Sequence, residues 1–218
     1  MNVPKKIKCV IFDMDGVIID SEEIHKKAYY ETFVSIGVVV SDDLYKTITG
    51  SSTINAFQKL VAHFKLDLNP EELVTEKRKR YVNFFENDPT LHLVKGVEEL
   101  IQHCYHKGFT LVLASSSAMV NIDRVFHRFN LTKYFKAKIS GADLIASKPH
   151  PEIFEKAALL GNTPKENCII IEDSDNGVKA ANAAGIFVFG YKNPMSTDQN
   201  LKNADFVMDD FGTLQKII

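Results

Sequence analysis

Short runs of apolar and β-branched residues alternate along the chain with segments whose apolar residues recur at helical spacing. The runs predict six strands, at residues 7–12, 110–114, 137–140, 168–171, 186–189 and 206–208. Several runs are apolar without alternation, which is expected when helices cover both faces of a parallel sheet. Strands and helices that alternate in this way predict an α/β fold built on a doubly wound parallel sheet.

The interval between the first and second predicted strands is helical in pattern from about residue 21 to residue 87. Two apolar stripes define it, formed by Ala56, Phe57, Leu60, Val61 and Phe64 and by Leu73, Tyr81, Phe84 and Phe85. Val38, Val39 and Val40 form a short run that could be a strand instead. A strand-to-helix connection usually takes about 2–6 residues. We therefore predict a helical cap domain at residues 21–87, inserted into a Rossmann-like core of residues 1–20 and 88–218.

Composition and charge narrow the class of partner. The 218 residues include 26 lysines and arginines against 28 aspartates and glutamates, a formal charge of −2. This balance gives no strong positive field, so we expect neither nucleic acid nor a membrane as a partner. The chain has no apolar run of the ~18–20 residues that a spanning helix needs, and its first residues lack the apolar core of a signal peptide. We expect a cytoplasmic protein whose scattered cysteines, Cys9, Cys104 and Cys168, are structural thiols.

The end of the first predicted strand carries two acids and a glycine, in the order Asp13, Met14, Asp15, Gly16. The end of the fourth strand repeats this feature with Glu172 and Asp173. Ligands of open α/β sheets bind beyond the carboxyl ends of the strands, so these acids are expected to meet. Close carboxylates repel one another unless a cation compensates, and Mg²⁺ prefers such hard oxygen ligands. The two acid pairs indicate a Mg²⁺ site, with a merely acidic turn as the alternative for the first pair.

Two other strand ends carry groups suited to phosphate. Ser115, Ser116 and Ser117 follow the second strand and place hydroxyl and N–H groups at the start of a helix, where anions bind readily. Ser117 could instead serve only as a helix N-cap. Lys148 lies just before a helix that begins at Pro151, and its charge can neutralise a phosphate and a neighbouring carboxylate. These residues predict a phosphate site beside the acids.

In order and position these motifs resemble those of the haloacid dehalogenase superfamily, over essentially the whole chain. The resemblance rests on four motifs, each at its own strand end: Asp13-Met14-Asp15-Gly16-Val17, Ser115, Lys148-Pro149 and Glu172-Asp173. The residues after Val17 are similar to the entry into the helical cap in the subgroup that contains β-phosphoglucomutase and small-molecule phosphatases. The resemblance implies phosphoryl-transfer chemistry on a small phosphorylated metabolite.

The resemblance also implies a role for each motif residue. Asp13 is the expected nucleophile, which becomes an aspartyl-phosphate, and Asp15 is the expected general acid and base. The expected cofactor is Mg²⁺, and its implied ligands are Asp13, the main-chain carbonyl of Asp15, Glu172 and Asp173. The implied phosphate-binding groups are Ser115, the Ser116 N–H and Lys148.

Residues of the cap are expected to decide whether the aspartyl-phosphate passes its phosphoryl group to water or to a second sugar phosphate. In β-phosphoglucomutase an arginine of the cap loop and a later lysine hold the second phosphate of the substrate. Thr53 stands where that arginine is expected and Asn83 where the lysine is expected, although Arg78 or Lys79 could substitute. Without those two cations to hold the second phosphate, the aspartyl-phosphate is expected to be hydrolysed by water. We therefore favour a phosphatase for a sugar phosphate, with a phosphosugar mutase as the alternative.

Three cap residues are expected to contact the substrate: His25, Ser51 and Thr53. His25 matches a histidine that the mutase uses near its general acid, and a plain polar contact with the Asp15 loop is the alternative. Aromatic residues of the cap could line the cleft or belong to the cap core, namely Tyr29, Tyr45 and Phe57.

A basic run at residues 77–80 follows Glu71, Glu72 and Glu76 on a predicted helix. Mixed charges at this spacing are typical of a solvated helix face with i,i+4 pairs. Attraction of the anionic substrate is the alternative role.

A phospho-accepting receiver module is a third, less favoured hypothesis. Such modules also combine an acid pair, a phosphorylated aspartate, a hydroxyl residue and a lysine at strand ends. They are shorter, lack a cap and do not place the phosphorylated aspartate on the first strand of the chain.

Overall fold

A computed structural model describes residues 3–49, 51–89, 91–194 and 199–218. Its strands are β1 (Cys9–Phe12), β2 (Thr110–Ser115), β3 (Ala137–Ser140), β4 (Cys168–Glu172), β5 (Phe187–Tyr191) and β6 (Phe206–Met208). They form one parallel sheet in the order β3-β2-β1-β4-β5-β6. The predicted doubly wound sheet is confirmed, and the predicted strands differ from the observed ones only at their ends.

The first four helices lie in the chain between β1 and β2. They are α1 (Glu22–Ser35), α2 (Asp42–Lys46), α3 (Thr53–Phe64) and α4 (Pro70–Asn87). Their facing side chains form an apolar cluster of their own, which includes Phe33, Phe57 and Leu60. All four helices fall inside the predicted range 21–87. Residues 38–40, the alternative strand of the sequence analysis, belong to neither a strand nor a helix.

The remaining helices cover the two faces of the sheet. They are α5 (Val97–His106), α6 (Met119–Arg128), α7 (Glu152–Leu160), α8 (Asp175–Ala184) and α9 (Phe211–Ile217). One apolar cluster joins the sheet to α5, α6 and α9, and a second joins the opposite face to α7 and α8. Cys104 packs in the first cluster, and Cys9 and Cys168 pack in the second. All three thiols are buried, in agreement with their expected structural role.

The strand order places the start of the chain at the centre of the sheet. From β1 the chain fills one side with β2 and β3, then crosses to the other side with β4, β5 and β6. The order therefore reverses between β1 and β4, and such a switch point opens a crevice at the carboxyl ends of the strands. None of the helices in the described part of the chain is both long and apolar enough to cross a membrane.

Candidate active site

A buried lysine joins three strand ends at this crevice. The Lys148 ammonium donates to Asp13 Oδ1 and to Glu172 Oε1, at 2.6 Å in each case. It also donates to the carbonyl of Ala114 at 3.2 Å. The main-chain N–H of Asp13 donates to the carbonyl of Ile171, so the pairing of β1 with β4 continues as far as Asp13. The sheet thus fixes the backbone of Asp13 while Lys148 fixes its carboxylate.

Several carboxylates and one lysine ammonium meet at this corner. Burial raises the pKa of Asp13, and the charges of Glu172 and Asp15 raise it further, although Lys148 opposes them. Burial would lower the pKa of Lys148, but the two carboxylates that it contacts raise it above its usual range. Asp173 adds a third carboxylate to the group of Asp13 and Glu172. Excess negative charge of this kind requires either protons or a cation.

The arrangement of these carboxylates fits a divalent cation. Oxygen atoms of Asp13, Glu172 and Asp173 all lie within 4.8 Å of one another, and all three residues are buried. Two glycines give the carboxylates room. A Cβ on Gly16, whose φ is +80°, would lie 2.0 Å from Asp173 Oδ2, and a Cβ on Gly177 would lie 1.9 Å from Glu172 Cδ. Hard oxygen donors held this closely are the ligands that Mg²⁺ prefers.

Asp15 lies beside this cluster and is held by three hydrogen bonds. Its Oδ1 accepts from the Ser21 hydroxyl at 2.5 Å and contacts His25 Nε2 at 3.1 Å, and its Oδ2 accepts from the Ser117 hydroxyl at 2.9 Å. Burial works to raise the pKa of Asp15, but the contact with His25 and the hydrogen bonds from Ser21 and Ser117 outweigh it and hold the pKa well below its usual range. Asp15 is therefore an ionised carboxylate in this structure.

The three serines at the end of β2 and just after it occupy different environments. Ser115 is fully buried, and its Oγ accepts from the Ser117 N–H at 3.0 Å. Among the described residues that line the pocket are Ser116 and Ser117 but not Ser115. The N-cap of α6 is Ala118 rather than Ser117, and the Ser117 hydroxyl donates to Asp15 instead. The role of Ser115 in phosphate binding stays a prediction, and Ser117 is a site residue that the sequence analysis left open.

Lys77 is the main residue that the sequence analysis placed wrongly. Instead of facing solvent it is 2% exposed, and its Nζ lies 2.6 Å from Nδ1 of His25. The His25 ring stacks on Tyr81 with centroids 4.3 Å apart. Because Lys77 donates to Nδ1, the Nε2–H of a neutral His25 points at Asp15. Burial, followed by the charge of Arg78, lowers the pKa of Lys77 to about 7, although Asp15 and Glu22 oppose this shift.

A signal for the burial of Lys77 was present in the sequence. Leu73, Lys77, Tyr81 and Phe85 follow one another at every fourth position of α4, and all are buried. Residues spaced by four lie on one face of a helix. The apolar stripe therefore passes through Lys77.

Lys79 and Arg80 of the basic run behave as predicted for a solvated helix face. Lys79 and Arg80 pair with Glu76, at 2.8 Å and 3.2 Å. Asn83, the position compared with the mutase lysine, is exposed and hydrogen-bonds with Asn87 on α4. The lysine of this helix that reaches the site is Lys77.

The cap closes the pocket over these groups. Residues from its loop and helices line the pocket together with the core acids: Glu22, His25, Tyr29, Tyr45, Ile48, Thr49, Ser51 and Thr53. Tyr29 and Tyr45 also belong to the cap core, so both interpretations of these residues hold. Phe57 is fully buried in the cap core. Hydrogen bonds that link the cap to the core include those from Asn55 to Ser147 at 2.7 Å and from Asn176 to the Thr49 carbonyl at 3.5 Å, besides the contacts of Ser21 and His25 with Asp15.

Comparisons with known proteins agree with this site. The model of the family described as haloacid dehalogenase-like hydrolase matches residues 10–191. A probable pseudouridine-5'-phosphatase of Drosophila melanogaster is 30% identical over 213 residues, covering 94% of this chain and 90% of that protein. Hexitol phosphatase B of Escherichia coli (strain K12) is 32% identical over 191 residues, covering 84% and 83%.

Solved structures show the same architecture. The crystal structure of a β-phosphoglucomutase from Clostridium difficile superposes with a TM-score of 0.83 at 26% identity, covering 96% of each chain. That protein is named as a mutase, whereas the two relatives above carry phosphatase names. The matched range spans β1 to β5 and includes every motif residue. The chain belongs to the haloacid dehalogenase-like hydrolase family.

Proposed function

We propose that this protein is a Mg²⁺-dependent phosphatase that hydrolyses a small sugar phosphate through an aspartyl-phosphate at Asp13. The observation that carries the proposal is the position of Asp13 at the floor of the pocket, where it contacts Lys148 and lies within the carboxylate cluster. A nucleophile, a fixed cation and a metal-binding cluster at one strand end are the parts that transfer of a phosphoryl group requires.

The two half-reactions use Asp13 and Asp15 in turn. Asp13 Oδ attacks phosphorus, the bond from phosphorus to the ester oxygen breaks, and the leaving oxygen takes a proton from Asp15. Water then attacks the aspartyl-phosphate and gives its proton to Asp15, and the Asp13 carboxylate is regenerated. Lys148 stabilises the negative charge that develops on the phosphate oxygens. Asp15 is held ionised by Ser21, His25 and Ser117 in the structure, so the proton that it gives in the first half-reaction has to be taken up as the phosphate ester binds, whose negative charge raises the pKa of a nearby carboxylate.

The proposed Mg²⁺ ligands are Asp13, Glu172, Asp173 and the main-chain carbonyl of Asp15. When bound, the ion would reduce the repulsion between the Asp13 carboxylate and the phosphate dianion. The proposed phosphate-binding groups are Ser115, the Ser116 N–H and Lys148.

The cap supports hydrolysis over transfer to a second phosphosugar. Thr49, Ser51 and Thr53 line the cap side of the pocket with neutral hydroxyls, so this loop offers no cation to a second phosphate. Lys77 does not take the place of that cation, because its ammonium contacts His25. Two relatives with phosphatase names are consistent with the same outcome. The inserted helices also distinguish the chain from a receiver module, because they cover the phosphorylation position.

A phosphosugar mutase is the second candidate. The chain of contacts from Lys77 through His25 to Asp15 favours it, because such a chain controls when Asp15 accepts a proton. The likeness to the β-phosphoglucomutase structure is the second reason.

The test is phosphate release from an aryl phosphate by the wild-type protein and Asp13→Asn, with and without Mg²⁺. We expect many turnovers per protein molecule with Mg²⁺, little with a chelator, and none for Asp13→Asn. Asp67→Asn, an exposed aspartate of the cap, is the control and should keep full activity. Turnover by Asp13→Asn would refute the nucleophile. A single phosphate held per molecule would identify a receiver, and glucose 6-phosphate formed from glucose 1-phosphate with a bisphosphate primer would identify a mutase.

A further inference from the structure

A buried asparagine that follows β5 reaches the loop that carries Asp15. Asn193 is 5% exposed, and its side-chain Nδ2 donates to the main-chain carbonyl of Gly16 at 2.8 Å. A carbonyl only accepts hydrogen bonds, so the NH₂ end of the amide rather than its oxygen faces Gly16. The two residues are 177 positions apart in the chain, so the fold alone brings them together. The mechanism above does not use Asn193.

The backbone of Asn193 is fixed by the sheet. The N–H of the preceding residue, Lys192, donates to the carbonyl of Met208 at 2.7 Å and continues the pairing of β5 with β6. The N–H of Asn193 donates to the carbonyl of Tyr191, the last residue of β5, at 3.0 Å. The amide therefore reaches Gly16 from a base that the sheet holds in place.

Gly16 is restrained by two hydrogen bonds, one on each side of its Cα. Its N–H belongs to the same peptide group as the carbonyl of Asp15, and it donates to the carbonyl of Ile19 at 2.9 Å. Its own carbonyl accepts from Asn193. Glycine has more backbone freedom than any other residue, and Gly16 uses that freedom with a φ of +80°. The two hydrogen bonds therefore set the orientation of both peptide groups around it.

The orientation of Gly16 is tied to the carboxylate cluster. A Cβ on Gly16 would lie 2.0 Å from Asp173 Oδ2 and 3.2 Å from Asp173 Oδ1, so this carboxylate lies directly against the glycine. Asp173 forms the cluster together with Asp13 and Glu172. On its other side Gly16 follows Asp15, whose main-chain carbonyl is a proposed Mg²⁺ ligand. A rotation at Gly16 would therefore displace the Asp15 carbonyl or the Asp173 carboxylate.

We propose that Asn193 is a positioning residue for the Mg²⁺ site: its amide fixes Gly16, and Gly16 holds the Asp15 carbonyl and the Asp173 carboxylate in place. Among the described residues that line the pocket are Asp15 and Asp173 but not Asn193, so its effect passes through the main chain rather than through the substrate. This inference rests on the proposed function, because the ion is the one proposed there. Residues that hold metal ligands in place typically contribute about 10- to 100-fold to metal affinity.

The test measures Mg²⁺ binding in the absence of substrate, by calorimetric titration of the wild-type protein and Asn193→Leu. Leucine has nearly the shape of asparagine but donates no hydrogen bond. We expect the Kd for Mg²⁺ to rise at least about tenfold in Asn193→Leu. The Mg²⁺ concentration that gives half-maximal phosphate release should rise by a similar factor. The kcat at saturating Mg²⁺ should stay within about twofold of the wild-type value, because the change weakens binding of the ion rather than the chemical step.

Two control variants separate positioning from a general loss of stability. Asn182→Leu removes an amide that also donates to a main-chain carbonyl at 2.8 Å, that of Asn203, from the end of α8 that is farther from Asp173. Ile186→Ala opens a cavity just before β5, at the end of that strand opposite the carboxylate cluster. Both variants should keep the wild-type Kd for Mg²⁺, although urea should unfold Ile186→Ala more easily.

Asn193→Ala removes the same donor without adding methyl groups, so it should raise the Kd for Mg²⁺ as Asn193→Leu does. An unchanged Kd in both variants would overturn this inference, and so would an equal loss of affinity in Ile186→Ala. Failure of both variants to fold would also overturn it, because Asn193 would then serve the whole fold rather than the site. Failure of the proposed function gives a different result: the wild-type protein would bind no Mg²⁺, or would release phosphate equally well with a chelator.

Discussion

Replacement of Lys77 by methionine should stabilise the protein and impair its activity at the same time. Lys77 is 2% exposed, and its pKa falls from the ordinary value of 10.5 to about 7 in the folded protein. A lysine of this kind loses its proton on folding. At any pH between 7 and 10.5, this loss lowers the free energy of unfolding by about 1.4 kcal/mol for each pH unit below 10.5. The reduction approaches about 5 kcal/mol near pH 7.

Methionine has a similar length and no proton to lose. The variant does leave Nδ1 of His25 without its donor, which costs about 1–3 kcal/mol. At pH 7 the variant should therefore be more stable than wild type by about 2–4 kcal/mol. Near pH 10 the neutral lysine costs little, so the sign should reverse and the variant should be less stable. The wild-type protein and the variant should have equal free energies of unfolding at about pH 9.

The measurement is urea unfolding at several pH values between 7 and 10, with phosphate release measured on the same samples. Activity should fall about tenfold or more, because the Nε2–H of His25 is no longer fixed toward Asp15. Lys79→Met is the control, since Lys79 is 68% exposed and should show neither effect. A stability difference that stays constant from pH 7 to pH 10 would refute the depressed pKa of Lys77.

Three further results are expected. Gly16→Ala should destabilise the protein by about 1–3 kcal/mol and weaken Mg²⁺ binding, because its Cβ would lie 2.0 Å from Asp173 Oδ2 at a φ of +80°. Calorimetric titration with Mg²⁺ measures the loss of binding. Ser117→Ala removes a hydrogen bond that lowers the pKa of Asp15, so Asp15 should keep its proton to higher pH and the alkaline limb of the kcat/KM profile should move to higher pH; an unmoved limb would contradict the role of Ser117. Mg²⁺ at about 100 times its Kd should stabilise the fold by about 2.7 kcal/mol against urea, and a midpoint unaffected by Mg²⁺ would argue against the carboxylate cluster as its site.

The sequence was sufficient for the architecture and for the floor of the site. Non-alternating apolar runs predict buried parallel strands, and parallel strands bring their carboxyl ends to one edge. Asp13, Lys148, Glu172 and Asp173 follow or precede such ends, so their meeting could be predicted from the order of elements alone. The helical length between β1 and β2 likewise predicted an insertion, because a connection of that size exceeds any simple turn.

Only the tertiary structure decided how the cap meets that floor. The buried position of Lys77 and its contact with His25 depend on how α1 and α4 pack against each other. Charge pattern suggested a solvated run, yet one lysine of that run faces inward because helix periodicity, not local composition, sets which side is buried. The roles of Ser115 and Ser117 also depended on the turn after β2, where adjacent residues point in different directions. The strands and the polar residues at their ends can be located from the sequence pattern, whereas contacts between the cap helices and the core arise only when these elements pack together.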